Sequence, residues 1–155
     1  MSDDLHGLVW NGCAIEADRL YDVEMHVWVR LEDDEAVLGM TDVAQTMGGR
    51  VVQVTWKRPG RRVQRGRPLA VVESAKWVGP FPTPLSGQLL AVNRQAFEDD
   101  IAVANRDPYG AGWMARVRTE NLAEERANLI DTDAAFSYYQ RYVEEHDIRC
   151  FRCAE

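Results

Sequence analysis

Glu73-Ser74-Ala75-Lys76-Trp77-Val78-Gly79-Pro80-Phe81-Pro82-Thr83-Pro84-Leu85-Ser86-Gly87 is the stretch on which the reading of this chain turns. It continues a run, Leu69-Ala70-Val71-Val72-Glu73, with the composition of a buried strand. A lysine follows within three residues, and then a glycine and three prolines. Proline fixes φ and lacks a backbone N–H, so no central strand or helix is expected through residues 80–84. Lys76 is therefore expected at or beside a tight, exposed turn. Taken alone, such a lysine also fits an ordinary solvated hairpin residue.

Upstream, Val27, Val29 and Leu31 alternate with Trp28 and Arg30, the period of a strand. Glu32-Asp33-Asp34-Glu35 reads as a turn, and Ala36 to Met40 as the returning arm of a hairpin. Thr41 is placed as the cap of a short helix that Gly48-Gly49 stops. Val51, Val52, Val54 and Trp56 form the next strand. Lys57 to Arg67, with Pro59, Gly60 and Gly66, reads as a long solvated loop. Downstream of the lysine, Gln88 to Val92 and Trp113 to Val117 are strands. Asn121 and Glu124 have capping-box spacing ahead of a first helix. A second helix follows Asp131-Thr132-Asp133, with Phe136, Tyr139 and Val143 on one apolar face. Residues 1–24 show no clear period and read as an arm packed on the domain.

The chain has 155 residues, 46% of them hydrophobic and 28% charged, the balance of a single globular domain with its own core. Its formal net charge is −7, yet six of the 18 basic residues fall between Lys57 and Arg67, leaving 12 basic against 25 acidic elsewhere. Self-repulsion on a phosphate backbone and the lack of aromatics among those arginines argue against nucleic acid. No apolar run reaches the length of a spanning helix or a signal-peptide core, so a cytoplasmic protein without a membrane role is expected. Three cysteines do not make a disulfide framework in a chain of this size, and reduced thiols are expected. His6, His26 and His146 lie far apart in sequence, and H-E-x-x-H, G-x-S-x-G and phosphate-loop motifs are absent. A catalytic site and a metal site are therefore not expected.

Residues 26–117 resemble the H protein of the glycine cleavage system, within the lipoyl and biotinyl carrier family. The residues that carry the resemblance are His26-Val27-Trp28-Val29-Arg30, Gly39-Met40-Thr41-Asp42-Val43-Ala44-Gln45 and Val72-Glu73-Ser74-Ala75-Lys76. Pro84 to Asn93 and Asn105-Arg106-Asp107-Pro108-Tyr109-Gly110-Ala111-Gly112-Trp113 complete it, in the family's order. The resemblance implies a mainly β (α+β) fold, a flattened β-barrel sandwich with two short C-terminal helices. Its boundaries fall at 1–24 for the arm, 25–118 for the carrier domain and 119–155 for the helices and tail. It also implies lipoate in amide linkage on Lys76, with Glu73, Ser74, Ala75 and Trp77 around the attachment point and Glu73 contacting the attaching ligase. Biotin carriers typically have methionine beside the lysine, whereas Ala75 and Trp77 stand here. The cofactor supplies the chemistry, and the protein is a non-catalytic carrier.

Three departures from the glycine-cleavage pattern bear on function. The loop Lys57, Arg58, Arg61, Arg62, Arg65, Arg67 is basic, suited to docking an acidic partner. Trp77 and Phe81 set aromatics beside the lysine, suited to an arm, a partner surface or core filling. Near the end of the sequence stands Cys150-Phe151-Arg152-Cys153, a pair read as either redox-active or an idle tail. These departures resemble the lipoate-binding proteins of sulfur oxidation, whose lipoyl arm carries sulfur-bound intermediates from thiosulfate to a heterodisulfide-reductase-like complex. The partners implied are that complex, a lipoate-protein ligase and dihydrolipoamide dehydrogenase. The competing expectations are a glycine-cleavage H protein carrying an aminomethyl group, and an unmodified scaffold.

Overall fold

Strands dominate residues 7–153, which the computed structural model describes. In chain order they are β1 (Leu8–Trp10), β2 (Cys13–Ile15), β3 (Leu20–Asp22), β4 (Val27–Glu32), β5 (Glu35–Met40) and, after helix α1 (Asp42–Gly48), β6 (Val51–Trp56). Then come β7 (Arg62–Val63), β8 (Pro68–Ser74), β9 (Val78–Pro82) and β10 (Gly87–Val92). Helices α2 (Arg94–Asp99) and α3 (Val103–Arg106) lead to β11 (Ala115–Thr119), α4 (Leu122–Glu125), a 3-10 turn (Arg126–Asn128) and α5 (Thr132–Glu145).

A six-stranded sheet, ordered β3-β4-β5-β11-β10-β7, faces a three-stranded sheet, β6-β8-β9. The two are not closed into a barrel, and the result is a flattened, mainly β sandwich. Val29, Leu38, Leu89 and Val117 of the larger sheet meet Leu69, Val72 and Phe81 of the smaller one in the main core. The opposite face of β4 and β5, carrying Trp28 and Val37, is covered by Tyr139 and Val143 of α5. That second cover explains why Trp28 is as buried as Val27 and Val29, although it points to the opposite face of β4.

Several local expectations meet the structure directly. The hairpin of β4 and β5 pairs Val27 with Met40 through Glu32 with Glu35. Thr41 caps α1 by accepting the Ala44 N–H, and Gly49 ends it at φ +82°, a conformation glycine adopts without strain. Pro80 and Pro82 lie in β9, an edge strand, where a missing N–H costs no ladder bond. Asp131 caps α5 through the Ala134 N–H.

Other expectations are corrected. The stretch before residue 25 contains a β1–β2 hairpin and β3, the outermost strand of the larger sheet; each has only three residues, too short to show a period. Residues 1–6 of that stretch lie outside the described residues, His6 among them. Within the basic loop, Arg62 and Val63 pair with Gln88 and Gly87 of β10, and Val63 is buried. Asn121 makes no side-chain cap, and α4 is a single turn. Its use lies instead in Glu125, whose carboxylate accepts from both the Ser86 N–H and hydroxyl.

The cysteine expectation fails most plainly. Cys13 of β2 and Cys150 form a disulfide across 137 residues of sequence, leaving Cys153 as the free thiol. Both half-cystines are buried in the cluster between the larger sheet and α5. Sequence separation concealed what the packing of α5 brings together.

Candidate functional site: a lysine turn beside an apolar groove

Ser74 to Trp77 form a tight turn joining β8 to β9, closed by the Ser74 N–H on the Trp77 carbonyl at 2.7 Å. The Ser74 hydroxyl donates to the Gly48 carbonyl and accepts the Lys76 N–H, so its work is structural. The Ala75 N–H reaches the Arg50 carbonyl, tying the turn to the end of α1. Lys76 and Ala75 are exposed, as is Glu73 on the outer face of β8. The five residues expected around the attachment point are therefore contiguous in space, with Ser74 buried beneath the other four.

The Lys76 side chain lies across Gly49. A Cβ built on Gly49 would come within 2.7 Å of Lys76 Cε, so the glycine leaves room for the stem. No ion pair or hydrogen bond holds the Lys76 amine among the described residues. The amine is therefore exposed and, among the described residues, uncompensated, which leaves it open to acylation. The chain has only two lysines. The other, Lys57, is half-buried at the start of the basic loop.

Beside the turn runs a groove of about 640 Å³ lined by Met25, His26, Met40, Met47, Trp77 and Phe81, among others. Its methionines are flexible and polarizable, suited to an apolar or sulfur-bearing guest. Trp77 is 48% exposed and its ring folds over Gly79, where a Cβ would fall 2.1 Å from Cζ2. Phe81 belongs to the core and lines the groove as well. The two aromatics thus divide between exposed contact and core filling.

The seat under this turn is built from residues far apart in sequence. Asn105 of α3 accepts the Val51 N–H at 2.8 Å and donates to the Gly49 carbonyl at 3.0 Å and the Gln45 Oε1 at 3.2 Å. Asp42, nearly inaccessible, accepts from the Ala14 N–H and from Gln45 Nε2. Tyr109 accepts the Asp42 N–H and donates to the Ala14 carbonyl, and Trp28 Nε1 donates to the Pro108 carbonyl. The motifs Thr41–Gln45 and Asn105–Gly110 are one hydrogen-bonded support for the turn. Sequence reading found both stretches without their joint role, because the hydrogen bonds that join them link residues 60 and 67 positions apart.

His26 and His146, remote in sequence, converge on Tyr142, with ring centroids 5.1 and 4.2 Å from it. Burial drives the His26 imidazole down from 6.5 to about 4; the Asp22 carboxylate opposes this and His146 adds to it. Between those two values the unfolded chain binds a proton that the folded one refuses. Stability is therefore full above pH 6.5 and falls as the pH drops towards 4, by about 2 kcal/mol after allowance for partial solvation. Chemical denaturation at pH 7 and pH 4.5 measures this. His26→Asn, which tolerates the positive φ of 58° at this position, is expected to flatten the dependence.

The basic loop is less free than its composition suggests. Arg65 bonds the buried Asp22 carboxylate at 2.7 Å and Arg62 pairs with Glu120 at 2.7 Å. Arg58, Arg61 and Arg67 are exposed. Cys150 and Cys153 do not form a pair with each other, because Cys150 is bonded to Cys13. Among the described residues, no helix is long and apolar enough to cross a membrane.

With this geometry in place, comparison with known proteins is specific. The family model described as Glycine cleavage H-protein matches residues 19–143. Glycine cleavage system H protein 5 of Aquifex aeolicus is 39% identical over 144 residues, covering 90% of this chain and 97% of that protein. A probable glycine cleavage system H protein 2 of Sulfurisphaera tokodaii is 39% identical over 145 residues, covering 92% and 97% respectively. The crystal structure of a glycine cleavage system H protein from Mycobacterium marinum superposes with a TM-score of 0.69 at 31% identity. It covers 81% of this chain and 98% of that one.

Proposed function

The chain belongs to the glycine cleavage H-protein family, and from that premise we propose that Lys76 bears the lipoyl group and that the protein works by presenting this arm to partner enzymes. Members of the family carry lipoate covalently on a lysine and act as non-catalytic carriers. The observation that carries the assignment is the position of Lys76: exposed, without a partner for its amine among the described residues, at the tip of a β8–β9 turn and lying across Gly49. When bound, the group supplies a dithiolane on a long arm. The chain's own contribution is a rigid turn, a glycine cradle and an apolar groove in which a neutral arm can rest. Glu73, exposed and one turn from the lysine, is a contact for the attaching lipoate-protein ligase.

The carried group that fits the family best is the aminomethyl group of glycine cleavage, with a glycine decarboxylase, an aminomethyltransferase and dihydrolipoamide dehydrogenase as partners. A second reading, delivery of sulfur-bound intermediates from thiosulfate to a heterodisulfide-reductase-like complex, draws support from the exposed Trp77, the methionine-lined groove and the basic loop. The Cys150/Cys153 pair no longer contributes to it. In both readings Arg58, Arg61 and Arg67 dock an acidic partner face. They precede β8, whose seven residues span about 20 Å, so a partner held there leaves the Lys76 end open.

Loading the lipoylated chain separates the readings. With glycine and a glycine decarboxylase, the first expects glycine-dependent mass gain on the Lys76 peptide and exchange of bicarbonate into glycine. No loading there, together with sulfur-dependent mass gain in the presence of thiosulfate and the heterodisulfide-reductase-like complex, would establish the second. Loading in neither system, with the function of the protein in its host kept by Lys76→Arg, would leave only the unmodified scaffold.

A further inference from the structure

The residues after α5 run back over the support of the lysine turn. The Cys150 N–H donates to the Asn11 carbonyl, and a Cβ on Gly12 would come 2.4 Å from the Cys150 carbonyl oxygen. Beyond the disulfide, the Phe151 carbonyl accepts Gln45 Nε2 at 3.0 Å, Arg152 pairs with Asp42 at 3.3 Å and the Cys153 N–H donates to the Asn105 carbonyl at 3.0 Å. Gln45, Asp42 and Asn105 are the side chains that hold α1, Gly49 and Val51 beneath Lys76. Residues 149–153 have no secondary structure, and Phe151 is 75% exposed. Polar contacts hold this tail to the body, and beyond the main chain the Cys13–Cys150 bond is its covalent link among the described residues.

We propose that Cys13–Cys150 is a redox site addressed by dithiols, a clasp whose closure keeps the tail on the lysine seat and whose opening loosens that seat. The reductant is a dithiol. Fraying of residues 151–153 uncovers Cys150, and one thiolate of the reagent attacks Cys150 Sγ as the bond to Cys13 breaks and Cys13 leaves as a thiolate. The reagent's second thiol attacks the mixed disulfide, closes its own disulfide ring and releases Cys150 as a thiol. Two electrons and two protons pass from the dithiol to the protein. Losing the clasp releases the contacts to Gln45, Asp42 and Asn105, and the effect passes through Gly49 and Val51 to the turn at residues 74–77. The inference does not depend on lipoylation, so it stands or falls separately from the assigned carrier role.

The test is hydrogen exchange with thiol mapping on the full chain as isolated and on Lys76→Arg, which has no arm to reduce. Dithiothreitol is the probe. The expected result is one alkylatable cysteine, Cys153, before treatment and three after it. Amide exchange in residues 45–51 and 74–77 should rise about tenfold or more, while β4, β5 and β11 keep their protection. Arg152→Ala, with the disulfide intact, should reproduce part of the increase at residues 42–49. Three alkylatable cysteines before reduction would overturn the clasp. So would unchanged exchange at residues 45–51 after reduction, or an equal rise in every strand, which marks a global staple.

Discussion

Lys76→Arg abolishes lipoylation completely while leaving the fold intact. Arginine keeps the positive charge and a long stem that can lie across Gly49, but its guanidinium is a poor nucleophile and forms no lipoyl amide. The turn is held by Ser74, Gly48 and Arg50 backbone and hydroxyl groups, none of which uses the lysine amine. Incubation with a lipoate-protein ligase followed by intact-mass measurement is the readout, with backbone spectra as the control for folding. Lys57→Arg removes the chain's other lysine and should be lipoylated as well as the parent. Attachment persisting in Lys76→Arg and vanishing in Lys57→Arg would reverse the assignment.

Gly39→Ala is the substitution expected to damage the fold most. Gly39 stands directly opposite Trp28 in the β4–β5 pairing. A Cβ there would lie 2.4 Å from Cε2 and Cζ2 of the indole and 2.5 Å from Nε1. The ring has nowhere to go: Trp28 is fully buried, with the Arg19 guanidinium 4.7 Å above it and Tyr109 alongside. Moving it breaks the bond from Nε1 to the Pro108 carbonyl and displaces the segment that ends in Asn105 and Tyr109. Overpacking costs 1–3 kcal/mol and a broken buried hydrogen bond adds to it, giving about 3–4 kcal/mol. For a domain of this size that is a fall of roughly 10 °C in melting temperature. A loss below about 1 kcal/mol in urea denaturation would mean that the ring is not locked.

What the sequence made legible was local chemistry. Proline placement located the exposed lysine turn, Thr41 and Gly49 marked the ends of a helix, and the period of two at residues 27–31 identified β4. The lysine seat was only half legible. Asp42, Gln45 and Asn105 stood within recognisable motifs, yet their mutual hydrogen bonds span up to 60 residues and follow from topology rather than spacing. The same holds for Cys13 and Cys150, which meet only because α5 packs on the outer face of the larger sheet. The basic loop shows the converse error. Charge counting treated Arg62 and Arg65 as free, whereas Glu120 and the buried Asp22 claim them. An acidic residue far along the chain leaves no mark beside the cation it neutralises. Short strands, such as β1 to β3, escape periodicity because three residues span barely one repeat.

The most direct test of the carrier assignment is the intact mass, with peptide mapping, of the protein purified from its own host. The expected result is a single lipoyl adduct on the peptide containing Lys76. An unmodified Lys76 in host-purified protein, or an adduct on Lys57, would contradict the account.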